Sequence, residues 1–255
     1  MSIEQKLNEQ VPLDAVFRDE AGREVRLGDY FRKGKPVVLA LVYYECPMMC
    51  NQILNALSGS LVAVSFTAGT EFEVVTISFD AREGPELAAR KKATYMKRYG
   101  RGEGGDAGWH FLTGGQESID RITKAVGFNY VWDEQSKQFA HSSAIMVATP
   151  EGKLSHYFYG IDYAPKELRL ALVEASAGKI GSPVDQLILF CYHYDPITGK
   201  FAPVMNVVRA GGVLTVLGLV ALIVVLRRKT RGRGDGDGSS GGERWDAEID
   251  TGGAA

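Results

Sequence analysis

The chain has 255 residues, 45% of them hydrophobic and 24% charged, with 29 Lys and Arg against 31 Asp and Glu for a formal charge of −2. That length supports one well-buried domain plus appendages. The balance of charge excludes the bulk basic excess of a nucleic-acid binder, and three cysteines are too few for a disulfide scaffold.

Val11 to Tyr30 alternates apolar and polar positions around Asp19-Glu20-Ala21-Gly22, the pattern of a hairpin. After Gly34-Lys35-Pro36, the run Val37 to Tyr43 is continuously apolar, as in a central strand covered on both faces. It leads into Cys46-Pro-Met-Met-Cys50. A helix is expected from near Pro47, with Ile53, Leu54, Leu57 and Leu61 on its inner face. That geometry puts the two sulfurs one turn apart on one face, within reach of one soft ion. Backbone N–H groups at a helix N-terminus favour anions, so both thiols are expected to ionise more readily than a free cysteine. Thiolates so placed bind Cu(I) or exchange with disulfides.

Val74 to Phe79 reads as a second strand ending at Asp80, and Pro85 to Tyr99 as a helix opened by Pro and closed by Gly100. Gln116 to Val126 is a further helix capped by Gly127. Ala144 to Thr149 and Leu154 to Tyr159 form a hairpin around Pro150-Glu-Gly-Lys153, and Pro165 to Ala175 is a last helix. A βαβ unit followed by βα and a hairpin, with a cysteine pair at the first strand-to-helix junction, is a thioredoxin-like arrangement. The expected fold class is therefore α/β, a central mixed sheet flanked by helices.

Three blocks make the resemblance specific: Pro36 to Cys50, Thr76-Ile-Ser-Phe-Asp80, and Phe139-Ala-His-Ser-Ser143 followed by Pro150-Glu-Gly152. In this order they resemble the signature of the Sco/SenC family, over roughly Val11 to Ala177. The resemblance implies a thioredoxin-like copper chaperone that assists assembly of the binuclear copper site of cytochrome c oxidase. Carried over by position, the metal ligands would be Cys46, Cys50 and His141. The implied partners are the copper-site subunit of the oxidase, with a thiol reductant protein or another copper chaperone upstream.

Two thiolates and a neutral imidazole suit three-coordinate Cu(I), while a fourth ligand or a water accommodates Cu(II). The same three would hold Zn²⁺ with one position open. The rival activity is thiol-disulfide oxidoreductase chemistry at Cys46 and Cys50. Against it, Ala140-His141-Ser142 stands where thioredoxins resemble one another in a Pro before the strand facing the cysteines. Met48 and Met49 offer thioethers or are exposed loop filler; Asp80 and Glu45 shape the field or are solvated, and neither is assigned as a ligand. His110 and His156 read as structural.

Ala210 to Leu226 is uncharged, and 204–226 is interrupted only by Arg209, which reads as one transmembrane helix. Arg227, Arg228, Lys229, Arg231 and Arg233 follow, so the positive-inside rule puts the C-terminus in the cytoplasm and the domain on the extracytoplasmic, periplasmic side. Met1 to Gln10 has no apolar stretch of the export type, so the signal is expected upstream of it. The expected organisation is a thioredoxin-like domain at 1–177, a membrane-proximal segment at 178–203, the span at 204–226, and a basic stop with a Gly-, Asp- and Ser-rich disordered tail at 227–255. Cys191 and His193, among Phe190, Tyr192, Tyr194 and Phe201, read as membrane-proximal packing or half of a second soft-metal site.

Overall fold

The computed structural model describes residues 3–31, 34–46 and 49–181, with short pieces at 194–195, 200–201, 215–219, 221 and 223–224. The chain divides into two units, Met1–Pro183 and Val184–Ala255. In the second unit, Tyr194–Asp195 pairs antiparallel with Lys200–Phe201. Cys191 and His193 lie outside the described residues. So does most of the expected span at 204–226; its described residues, 215–219, 221, 223 and 224, are helical. Among the described residues no helix is long and apolar enough to cross a membrane.

The first unit opens with the hairpin β1 (Val16–Arg18) and β2 (Glu24–Arg26), turned at Gly22 with φ 77°. The expected central strand is β3 (Val37–Val42), every residue of it buried. Helix α1 (Met49–Ala63) sends Ile53, Leu54, Leu57 and Leu61 into the core, each at most 1% exposed. Strand β4 (Glu73–Ser78) follows, then α2 (Pro85–Tyr99), which ends at Gly100 in the left-handed region as the sequence implies. A short helix, α3 (Gly102–Ala107), leads to β5 (Trp109–Leu112) and α4 (Gln116–Ala125). Next come a hairpin that the sequence reading did not find, β6 (Tyr130–Asp133) and β7 (Gln138–His141), and the expected hairpin β8 (Ala144–Ala148) and β9 (Leu154–Tyr159). Helix α5 (Pro165–Ser176) closes the domain.

The main sheet has the order β5-β4-β3-β8-β9. Strands β3, β4 and β5 run parallel, β8 runs antiparallel to β3, and β9 antiparallel to β8. The sheet is mixed, as expected. Helix α1 packs against both α2 and α5, so these three helices lie side by side. Gly108 marks a tight approach: a Cβ there would meet the Gly69 nitrogen at 1.9 Å, so only glycine lets the start of β5 pass the turn before β4. What matters for the site is that β3 lies second from neither edge but at the sheet's centre. Its C-terminal end delivers the cysteine loop, and β7 ends just before β8, the strand bonded to β3.

Candidate metal centre

Cys46 sits in the loop between β3 and α1, and Cys50 in the first described turn of α1. Pro47 and Met48 lie outside the described residues, whereas Met49 is exposed. Cys46 precedes the helix, and its sulfur accepts the Cys50 backbone N–H at 3.3 Å, so it satisfies one of the donors that a helix start leaves free. Asn51 Nδ2 donates to the Cys46 carbonyl at 3.0 Å and holds the loop against the helix. The Cys50 sulfur accepts the Tyr43 N–H at 3.4 Å. Both cysteines are buried and free.

His141 ends β7. Its Nδ1 lies 3.0 Å from the Ser142 carbonyl, which can only accept, so Nδ1 carries the proton and Nε2 keeps its lone pair. Nε2 faces Cys50 Sγ at 3.4 Å. The ring is partly buried in an aromatic wall, with centroid distances of 5.2 Å to Phe79, 5.8 Å to Phe128 and 6.0 Å to Tyr43. The two sulfurs and a ring nitrogen of His141 all lie within 4.8 Å of one another. Three atoms in such a triangle lie at most about 2.8 Å from a common centre, so closing to thiolate and imidazole bond lengths of about 2.0–2.3 Å takes sub-ångström side-chain shifts. The donors therefore fit one soft or borderline ion without a change in backbone.

The expectation that both thiols acidify alike is corrected by the structure. Cys46 is held well below the usual thiol range, first by the hydrogen bond from the Cys50 thiol, with burial opposing and the Cys50 N–H and Tyr43 assisting. Cys50 moves the other way, raised by its burial and then by donating to Cys46. The helix start lies under Cys46, whereas Cys50 points into the core.

Asp80 and Glu45 stand outside the three-atom cluster. Asp80 is buried and takes two bonds from the Arg82 guanidinium, at 2.8 and 2.7 Å, and one from the Arg82 N–H at 3.0 Å. Arg82 then lies over Trp132 at 4.7 Å and Phe139 at 5.4 Å, which ties the β6–β7 hairpin to the β4–α2 loop. His110 and His156 are structural, as read: His110 pairs with buried Glu73 at 3.1 Å and His156 with Glu174 at 2.9 Å. The residue that sequence reasoning missed is Glu83. Its buried carboxylate accepts the N–H groups of Tyr44 and Glu45, each at 2.7 Å, and the Ser78 hydroxyl at 2.5 Å. It clamps the loop one residue ahead of Cys46. No signal in the sequence marks it, because Glu83 belongs to a polar loop whose partner is thirty-eight positions away. A groove of about 600 Å³ opens beside this loop, lined by Tyr43, Glu45, Arg82, Glu83 and Trp132 among others.

Residues 7–174 match the SCO1/SenC family. The chain belongs to that family. Among solved structures, this SCO1/SenC domain is similar to a putative electron transfer protein from Aquifex aeolicus VF5, with 28% identity, TM-score 0.58, and coverage of 68% of this chain and 96% of that one. It shares its fold with a SCO1/SenC family lipoprotein from Bacillus anthracis str. Ames (17% identity, TM-score 0.55, 69% and 99% covered). The same holds for Arabidopsis thaliana ScoI with copper bound (17%, 0.52, 68% and 99%). A comparison with curated proteins finds no match.

Proposed function

We propose that this SCO1/SenC domain carries one copper ion as cargo on Cys46, Cys50 and His141 and passes it to the binuclear copper site of cytochrome c oxidase. The observation that carries the reading is His141: Nδ1 is committed to a carbonyl, and Nε2, the free nitrogen, faces a thiol pair. Two sulfurs and one imidazole favour Cu(I) over harder ions. A relative of the same fold, the Arabidopsis ScoI, is described with copper bound. Cys46 is ready to ligate as a thiolate, and Cys50 would release its proton to solvent as the metal binds. The apolar stretch at 204–226 anchors the domain, with the basic cluster Arg227 to Arg233 on the cytoplasmic side and the copper site outside.

The test is His141→Ala in the full chain. The ring is packed at its edges rather than at the centre of the core, so the fold is retained. Loss of one ligand in three weakens copper binding by about 10-fold or more and alters the thiolate-to-copper absorption of the Cu(II) form. Unchanged affinity together with an unchanged band would sink the assignment.

A second reading, thiol-disulfide oxidoreductase, is favoured by one observation: an acidified thiol at Cys46 beside a thiol of raised pKa at Cys50 is an attacking and resolving pair. The two readings divide at the imidazole. Disulfide exchange needs both cysteines and has no use for His141, whereas copper delivery needs all three. Oxidase assembly that survives His141→Ala but fails in Cys46→Ser supports exchange; failure of both supports delivery.

A further inference from the structure

Helix α2 and the turn after it hold Arg90, Lys91, Lys92, Lys97, Arg98 and Arg101 against one helical acid, Glu86. At about 100° per residue, Arg90, Lys91, Lys97 and Arg98 fall within an arc of about 120°. Measured from Arg90, the core-facing Tyr95, Ala88 and Tyr99 fall at about 140–180° on the same wheel. Lys92 falls next to them at about 200° and pairs with Glu20. The partners of the strip are neutral: Lys91 donates to Asn51 Oδ1 at 2.9 Å, Arg98 to Asn55 Oδ1 at 2.8 Å, and Arg101 to the carbonyls of Val62 and Val64 at 2.9 and 2.7 Å. Arg90 and Lys97 are exposed, with no ion pair among the described residues. Helix α1, packed alongside, contains no charged residue at all.

Stability accounts for only part of the strip: Glu86 stands four residues before Arg90, a supporting spacing, but Lys91, Lys97 and Arg98 have no acid three or four positions away on α2. Opposite charges three or four apart support a helix, and like charges oppose it. The helix dipole rewards Lys97 and Arg98 in the last turn, but it gives nothing to Arg90 and Lys91 in the middle. Five cations against one acid, Glu86, on their own helix and none on the neighbouring α1, in a chain of formal charge −2, make a predominantly positive surface. Its position is specific. Asn51 accepts from Lys91 and donates to the Cys46 carbonyl, so the strip starts one side chain from the thiol loop. From Arg90 to Arg98 it runs about 12 Å.

We infer that this strip is the docking surface for an acidic protein face, that of the oxidase copper-site domain, which exchanges copper with the adjacent thiols. The nature of the cargo rests on the function proposed above; the docking itself does not. A protein fits better than a lipid surface because the flank offered by α1 is mainly polar, Asn51, Gln52 and Asn55 with Val62 among them, without the Trp, Phe or Leu with which surface-seeking helices enter a bilayer. Charge complementarity of this kind acts on the association rate.

The experiment uses the full chain in detergent micelles and the soluble copper-site domain of the oxidase subunit. It compares wild type with Arg90→Glu/Lys97→Glu and with a control of equal charge change, Lys153→Glu/Lys166→Glu, whose lysines are exposed elsewhere. Association of the copper-free proteins is followed first, then copper transfer. The expected result is an association rate about 10-fold lower for the strip variant at about 50 mM salt, a gap that closes near 0.5 M, and no change in the control. Copper affinity of the strip variant stays at the wild-type value. Equal rates for wild type and strip variant overturn the inference. So does loss of binding to phosphatidylglycerol vesicles with an unaltered protein association rate, which would make the strip a lipid contact. Salt-dependent association without transfer keeps the docking surface and removes the copper reading instead.

Discussion

Replacing Glu83 with Ala tests whether the loop ahead of Cys46 is held by one carboxylate. The acceptor of three donors disappears, but their losses differ. The Tyr44 N–H belongs to a residue 1% exposed and is left without a partner, the Glu45 N–H belongs to an exposed residue, and the Ser78 hydroxyl keeps a contact with Asp80. One stranded buried donor plus two weakened bonds costs about 2–3 kcal/mol. For a domain of this size that lowers Tm by about 5–10 °C. The carboxyl is itself raised by burial, so removing it returns part of the cost, which is why the figure is below the sum of three charged bonds. Glu83→Gln accepts one N–H but turns its NH₂ toward the other, and falls between wild type and Ala. The functional arm is copper affinity: freeing the backbone one residue from a ligand costs about 10-fold or more. Differential scanning calorimetry and competition for Cu(I) read the two arms. A Glu83→Ala protein with Tm within about 1 °C of wild type and unchanged copper affinity would refute the clamp.

Two further outcomes follow from particular groups. A reporter active only after export, fused at Ala177, is active, and the same reporter at Gly241 is silent; the reverse pattern overturns the proposed topology. At Asp19, burial raises the carboxyl, but bonds from the Arg23 side chain and from the N–H groups of Arg23 and Ala21 outweigh it and leave it below 3.8. A depressed carboxyl stabilises the fold above its unfolded pKa, and that contribution is lost as pH falls through the folded value. Thermal melts therefore show Asp19→Asn a few degrees below wild type at about pH 6, with the gap narrowing below about pH 4. A gap constant down to about pH 2.5 rejects that account.

The elements that could be read from sequence are those whose own residues determine them. Seven apolar residues in a row can only be a covered strand or a buried helix, and Lys35-Pro36 before them with Cys46-Pro47 after them left room for a strand alone. Pro85 and Gly100 punctuate α2 by backbone chemistry. The β6–β7 hairpin escaped because its turn lacks the usual signal: Lys137, not Gly or Asn, takes the positive φ of 52°. Its strands are four residues each and only half-buried, so they carry little periodicity. The site was legible as residues but not as chemistry. Five positions in sequence join Cys46 to Cys50, yet the opposed acidities come from the hydrogen bond that the Cys50 thiol gives Cys46 and from the burial of Cys50, and both are set by tertiary packing.

The two halves of the centre are held by independent means, and this bears on the choice between copper and disulfide chemistry. The thiols depend on the sheet's central strand, the α1 start, Asn51 and Glu83. The imidazole depends on a small two-stranded hairpin outside the main sheet, fixed by aromatic packing on Phe79 and by Arg82, which joins Asp80 to Trp132 and Phe139. A dithiol needs none of the second set. A chain selected only for thiol exchange gains nothing from an arginine salt-bridged at one end and stacked at the other, nor from an imidazole whose proton is pinned on the far nitrogen. The hairpin's anchoring and the His141 tautomer make sense together if Nε2 must meet a metal between two sulfurs, and the structure builds both.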